Sequence, residues 1–225
     1  MQLGIHSMEC NYGESSFRLS VPELEIRSGE HVAFIGASGS GKTTLLRLLA
    51  GIVTPQSGMV NAGDIGVNRT SDAERRSFRI SQIGFVFQDF RLINYLNIRE
   101  NMLLPYRLNT ALKLNANVKN RLVKLAEILL LTDKLLSPVD ELSQGEQQRT
   151  AIGRALLPKP RLILADEPTG NLDPASKTQV LDLLFDQSKE YESTLVMVTH
   201  DHALLDRFDR VIDFAKFHSQ KTTHA

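Results

Sequence analysis

Gly36-Ala37-Ser38-Gly39-Ser40-Gly41-Lys42-Thr43 decides the fold of this chain. The stretch satisfies the pattern G-x-x-x-x-G-K-[ST] in full, and its flanks are the ones that the pattern needs. Val32-Ala33-Phe34-Ile35 reads as a buried strand entering the loop, and a helix is expected to leave it from Thr43. The glycines permit a tight turn whose N–H groups face inward, and the start of the helix adds partial positive charge toward an anion. Gly36, Ala37, Ser38, Gly39, Ser40, Gly41 and Thr44 are therefore candidate phosphate contacts. Lys42 is expected to reach the β- and γ-phosphates of a nucleotide, and the Thr43 hydroxyl to ligate Mg²⁺.

Outward from the loop, short apolar runs bounded by turn residues predict strands at 31–35, 83–87, 161–165, 194–199 and 211–214. Helices are predicted between them at 43–52, 146–157 and 175–191. Strands alternating with helices imply an α/β fold whose mostly parallel sheet is covered on both faces. The stretch from about 92 to 141 contains no convincing strand. Val118, Leu122, Leu125 and Leu129 recur there at helical spacing, as one apolar stripe. The stretch is read as a helical insert; an ordinary helical layer of the same domain is the alternative. Residues 1–217 are expected to form one domain, and 218–225 a polar, frayed tail.

Arg161-Leu-Ile-Leu-Ala-Asp166-Glu167 is an apolar strand ending in two carboxylates. Successive strand residues point to opposite faces, so the two acids can do different work. Asp166 is expected to hold Mg²⁺ through its water shell, as a hard oxygen ligand beside the phosphates. Glu167 is expected to orient and polarise water for in-line transfer of the γ-phosphoryl group. Alone, such a pair would be read as a solvated strand end.

Composition narrows the class further. The chain has 225 residues, enough for one large α/β domain, and 42% of them are apolar. No window approaches the ~18 consecutive apolar residues of a membrane-spanning helix, and the start of the chain has no charged-then-apolar leader pattern. The single cysteine, Cys10, suits a reducing compartment. With 26 basic and 26 acidic residues the formal net charge is zero, which argues against general affinity for nucleic acid or anionic lipid. A cytoplasmic domain that reaches a membrane through a protein partner is the expectation.

Leu142-Ser143-Gln144-Gly145-Glu146-Gln147-Gln148-Arg149 adds a second motif. Ser143 and Glu146 have the spacing of a helix capping box. The octapeptide also resembles the signature of the ATP-binding-cassette (ABC) ATPases, and the two readings are compatible. A capped helix start can present the Ser143 hydroxyl and the Gly145 N–H to a phosphate. In that family the phosphate belongs to ATP held by a second subunit, so Ser143, Gln144, Gly145 and Glu146 become candidate contacts across a dimer. The resemblance covers nearly the whole chain. It implies a phosphate-loop NTPase fold with an N-terminal antiparallel β region beside the parallel sheet. Gln88 resembles the glutamine that contacts the metal and the attacking water. Asn171-Leu172-Asp173 resembles the D-loop at the dimer interface, and His200 the switch histidine on the γ-phosphate. Tyr12 stands about where the family places an aromatic on adenine, although Phe17 is nearby. Two residues depart from the commonest form: Gln144 replaces a glycine, and Glu146 stands where many members carry glutamine.

Gly170-Asn171, within Asp166-Glu-Pro-Thr-Gly-Asn-Leu-Asp173, is similar to the lipoprotein-release, macrolide-efflux and cell-division branch. So is 90–102, where the family receives a permease's coupling helix. The resemblance thus implies an ATP-hydrolysing subunit that uses ATP and Mg²⁺, dimerises on ATP and drives an integral membrane permease. A soluble ABC ATPase acting on DNA or ribosomes is the alternative. It lacks support from a coiled-coil insertion, a second cassette or a basic surface. No Asn-Lys-x-Asp motif points to a GTPase.

Overall fold

The computed structural model describes residues 1–11, 17–170, 172 and 174–221. In chain order the elements are β1 (Leu3–Asn11), β2 (Phe17–Ile26), β3 (His31–Ile35), α1 (Lys42–Leu49), β4 (Ser57–Ala62), β5 (Ile65–Gly66), α2 (Asp72–Gln82) and β6 (Ile83–Val86). They continue as α3 (Ile98–Leu108), α4 (Ala116–Ile128), α5 (Gln144–Leu156), β7 (Leu162–Asp166), α6 (Pro174–Glu190), β8 (Thr194–Val198), β9 (Arg210–Asp213) and β10 (His218–Lys221).

Two sheets result. One runs β6-β7-β8-β3-β9 with every neighbouring pair parallel. The other runs β10-β2-β1-β4-β5 with every pair antiparallel. The parallel strands are apolar on both faces because both are covered, as parallel sheets require. Val32 and Phe34 of β3, Leu162 and Leu164 of β7, and Val196 and Val198 of β8 join one buried cluster. Their alternates Ala33, Ile163, Ala165, Leu195 and Met197 join the other. Strand period two therefore divides the interior.

The first cluster includes α1 and the inner face of the antiparallel sheet. Leu45, Leu46, Leu48 and Leu49 of α1 are all fully buried, and each contributes roughly 1.5–3 kcal/mol relative to an exposed position. The second cluster joins α5 and α6 to the stretch expected to be helical. There Val118, Leu122, Leu125 and Leu129 are all buried. The apolar side chains of α3 and α4 share this cluster with the sheet, so the stretch packs as a layer of the domain through α5.

Three differences from the sequence expectation have physical causes. The frayed tail does not begin at His218, because His218–Lys221 pairs with Ser20–Phe17 of β2 and closes that sheet edge. α2 lies in a stretch where no helix was expected. Its side chains are not deeply buried, and it is held by a complete capping box, Ser71 with Glu74. The second of the two acids at the end of β7 is left-handed where a regular strand end was expected, as described below.

Candidate functional site

The phosphate loop follows β3, Asp166 and Glu167 end β7, His200 follows β8, and Gln88 follows β6. These four strands are neighbours in one parallel sheet. The carboxyl edge of such a sheet is where ligands of open α/β folds bind.

Gly36 has φ 147°, and a Cβ there would lie 2.9 Å from the Cβ of Phe214. Phe214 follows β9, is buried, and packs edge-on against Phe34 at 5.9 Å between ring centres. Glycine is thus required where the chain leaves the sheet over this aromatic floor. Gly41 is the N-cap of α1, and no side chain caps that helix. The first N–H groups of α1 are directed into the loop, where an anion can receive them. The Lys42 Nζ donates to the carbonyls of Gly36 at 2.8 Å and Ala37 at 2.7 Å. Burial lowers the Lys42 pKa, and the carboxylates of Glu167 and Asp166 oppose that shift.

Asp166 is the last residue of β7 and is 3% exposed. Its carboxyl accepts a hydrogen bond from the Thr43 side chain, yet burial raises its pKa, with the Glu167 charge adding to the rise. The Asp166 Oδ1 has no hydrogen-bond partner. A buried, unpartnered carboxylate oxygen beside a hydroxyl fits a hard cation such as Mg²⁺. Among the described residues no cluster of three or more His, Cys, Asp or Glu side chains could hold a metal. A divalent ion here would therefore need further ligands, from water or a bound phosphate.

Glu167 leaves the strand with φ 48°. Its N–H still bonds the Val198 carbonyl at 3.0 Å, so it stays registered on β8 through a left-handed residue. The two acids meet different partners, Thr43 for Asp166 and His200 for Glu167, across a left-handed residue where the sequence suggested a regular strand end. The Glu167 Oε1 lies 2.7 Å from the His200 Nε2. Glu167, Thr169, Gly170, Lys177, Thr199 and His200 line a cleft of about 370 Å³. Gln88 is exposed, two residues beyond β6. Tyr12, Asn171 and Asp173 lie outside the described residues.

Ser143 is the N-cap of α5, and both capping-box bonds form. The Ser143 Oγ accepts from the Glu146 N–H at 3.3 Å, and the Glu146 Oε2 accepts from the Ser143 N–H at 2.9 Å. Gln144 is exposed at the first helical position. A Cβ at Gly145 would lie 3.4 Å from both Leu172 and Arg149, so the helix start sits close against the chain after β7. Two further residues belong to this region and were not singled out from the sequence. Lys134 pairs with Glu146 at 2.6 Å. Arg154, later on α5, donates to the carbonyls of Phe90 and Arg91 just after Gln88. Those two residues are left-handed, with φ 59° and 51°, and burial pushes the Arg154 pKa down to about 10. The spacing of lysine and arginine carries no such signal.

Geometry of this kind belongs to ATPases built on a phosphate loop. The family profile described as ABC transporter matches residues 19–170. The chain belongs to that family, as an ATP-binding subunit with ATPase activity. It is 39% identical to the lipoprotein-releasing system ATP-binding protein LolD of Legionella pneumophila (strain Lens) over 191 residues, covering 84% of this chain and 83% of LolD. It is 44% identical over 203 residues to the ABC transporter ATP-binding protein YvcR of Bacillus subtilis (strain 168), covering 90% and 78%. Its structure resembles the dimeric post-hydrolysis state of the ATP-binding cassette MJ0796 bound to ADP and Pi. That match has a TM-score of 0.86 and 30% identity over 99% of this chain and 100% of MJ0796. Among the described residues no helix is long and apolar enough to cross a membrane.

Proposed function

We propose that this ATPase powers an integral membrane permease of the few-helix type with a large extracytoplasmic domain, and that it works as a dimer on that permease's cytoplasmic face. The observation that carries the reading is the division of nucleotide-binding groups between two regions. Lys42, Thr43, Asp166, Glu167 and His200 stand along one sheet edge, whereas Ser143 stands on a separate helix start that a facing subunit can meet. Likeness to a relative named for lipoprotein release supports the type of permease.

Residues 36–44 cradle the phosphates through backbone N–H groups, with Lys42 on the β- and γ-phosphates. Thr43 and Asp166 would hold Mg²⁺, which would supply positive charge beside the phosphates. Glu167 orients and polarises the attacking water, and His200, bonded to Glu167, reaches the γ-phosphate. Gln88 reports from the permease side, where 90–102 receives a coupling helix. Ser143, Gln144, Gly145 and Glu146 complete the site of the facing subunit, and Tyr12 stacks on its own adenine.

Glu167→Gln tests the core of this reading. Hydrolysis is expected to fall about 10²- to 10⁴-fold, with ATP still bound and a dimer accumulating in gel filtration. Unchanged turnover would overturn the role of Glu167. Co-purification of an integral membrane partner is expected, and nucleic-acid-stimulated ATPase activity without one would support the soluble alternative.

A further inference from the structure

We propose that Lys134 is a positioning residue of the signature: by holding the Glu146 carboxylate, it frees the Ser143 hydroxyl for the γ-phosphate of a facing subunit's ATP and offsets the negative charge beside that phosphate. The inference rests on the cross-subunit reading above and deepens it.

The hydrogen-bond inventory makes the case. The Ser143 hydroxyl has one proton, and it is directed at the Glu146 Oε2, 2.9 Å away. The same Oε2 accepts the Ser143 backbone N–H at 2.9 Å. The other oxygen, Oε1, takes the Lys134 Nζ at 2.6 Å. When the hydroxyl turns to a phosphate oxygen, Glu146 loses one of three donors and keeps two, one of them charged. Without Lys134 only the backbone N–H would remain, and the carboxylate would compete for the hydroxyl proton.

Charge makes the second part. Lys134, then the Ser143 bonds, push the Glu146 pKa down to about 2 against partial burial. A full negative charge therefore sits 2.9 Å from the hydroxyl that an incoming polyanion must approach. A glutamine at 146 carries no charge and would need no such partner. Lys134 matters because this chain carries glutamate.

The lysine is also well based. It ends the short 3-10 turn Thr132–Lys134. Its N–H bonds the carbonyl of Leu131, a fully buried residue, at 3.0 Å. The side chain is half exposed, and its ammonium has three donors.

The test is a double-mutant cycle on ATP-driven dimerisation, read by light scattering in the Glu167→Gln background. Lys134→Ala is expected to raise the ATP concentration at the dimerisation midpoint about 10-fold, from unscreened repulsion at two symmetric sites. The shift should shrink as ionic strength rises. Lys134→Arg should restore the midpoint to within about 2-fold, since it keeps the charge and a donor. On Glu146→Gln, adding Lys134→Ala should shift the midpoint by less than about 2-fold, because the charge to be offset is gone.

An equal shift in both backgrounds would overturn the proposal, since Lys134 would then act without Glu146. So would a parallel loss of thermal stability or of fluorescent-ATP binding by the monomer, which would make Lys134 a structural support only. Ser143→Arg separates this inference from the reading beneath it. If Ser143→Arg dimerises normally, the cross-subunit reading itself fails. If it blocks dimerisation while Lys134→Ala leaves the midpoint in place, the role of Lys134 alone fails.

Discussion

At the end of β3 the phosphate loop rests on α1, whose four leucines are fully buried between two sheets. At the start of α5, Ser143 and Gln144 are exposed and are held by a capping box and one ion pair. The first region takes its geometry from the hydrophobic interior, so the chain shapes it by itself. The second takes its geometry from local hydrogen bonds, which can be exchanged when a phosphate is presented. Under the proposed function, rigidity falls where a single chain would bind, and exchangeable bonds where two chains would meet.

The sharpest way to break this comparison is to weaken the interior beneath the loop. Leu46→Ala removes a fully buried side chain and is expected to cost about 2–5 kcal/mol in denaturant unfolding, with ATP affinity falling alongside. A cost under about 1 kcal/mol would mean that packing does not hold the loop. Next comes Lys42→Ala, expected to weaken monomer ATP binding about 10- to 100-fold in equilibrium titration, as loss of a charged hydrogen bond does. Ser143→Arg should change that monomer affinity by less than about 2-fold while blocking dimerisation, and equal damage to both would merge the two regions.

Arg154 ties the helix that Ser143 caps to the turn after Gln88. Arg154→Ala strips donors from two carbonyls and is expected to cost about 1–3 kcal/mol. Hydrogen exchange at 88–93 should accelerate, and unchanged protection would show that the turn holds itself.

The smallest effect concerns pH. His31, at the opposite end of β3 from the loop, bonds the Ser188 Oγ at 2.9 Å and packs edge-on to Phe185. Burial lowers its pKa, more than Asp209 raises it. The folded state therefore binds this proton less readily than the unfolded state. Stability should be full above about pH 6.5 and fall as pH drops below that value. His31→Gln should flatten this part of the stability-against-pH curve, and an unchanged slope would assign the titration to another group.

Much of this was legible because the controlling patterns are local in sequence. The loop glycines, the apolar strands and the Ser143–Glu146 spacing each carry a short-range physical signature, and each appears where the residues imply. The left-handed turn at Glu167 was not legible, because glutamate does not advertise positive φ; the bond of its N–H to Val198 comes from strand pairing. Arg154 and Lys134 were missed for a related reason. A cation's partner is chosen by tertiary geometry, and the carbonyls of Phe90 and Arg91 lie far from Arg154 in sequence. The capping box of α2 was readable in Ser71-Asp72-Ala73-Glu74 but lacked the apolar stripe that would have drawn notice.

β10 has a practical meaning beyond the fold. His218–Lys221 supplies the outer partner of β2, so a chain cut after Phe217 would bare a row of backbone donors and acceptors. Exposed strand edges recruit other strands. Shortening the apparently dispensable end is therefore expected to lower solubility and promote self-association. An affinity tag is better joined after Ala225, leaving that edge covered.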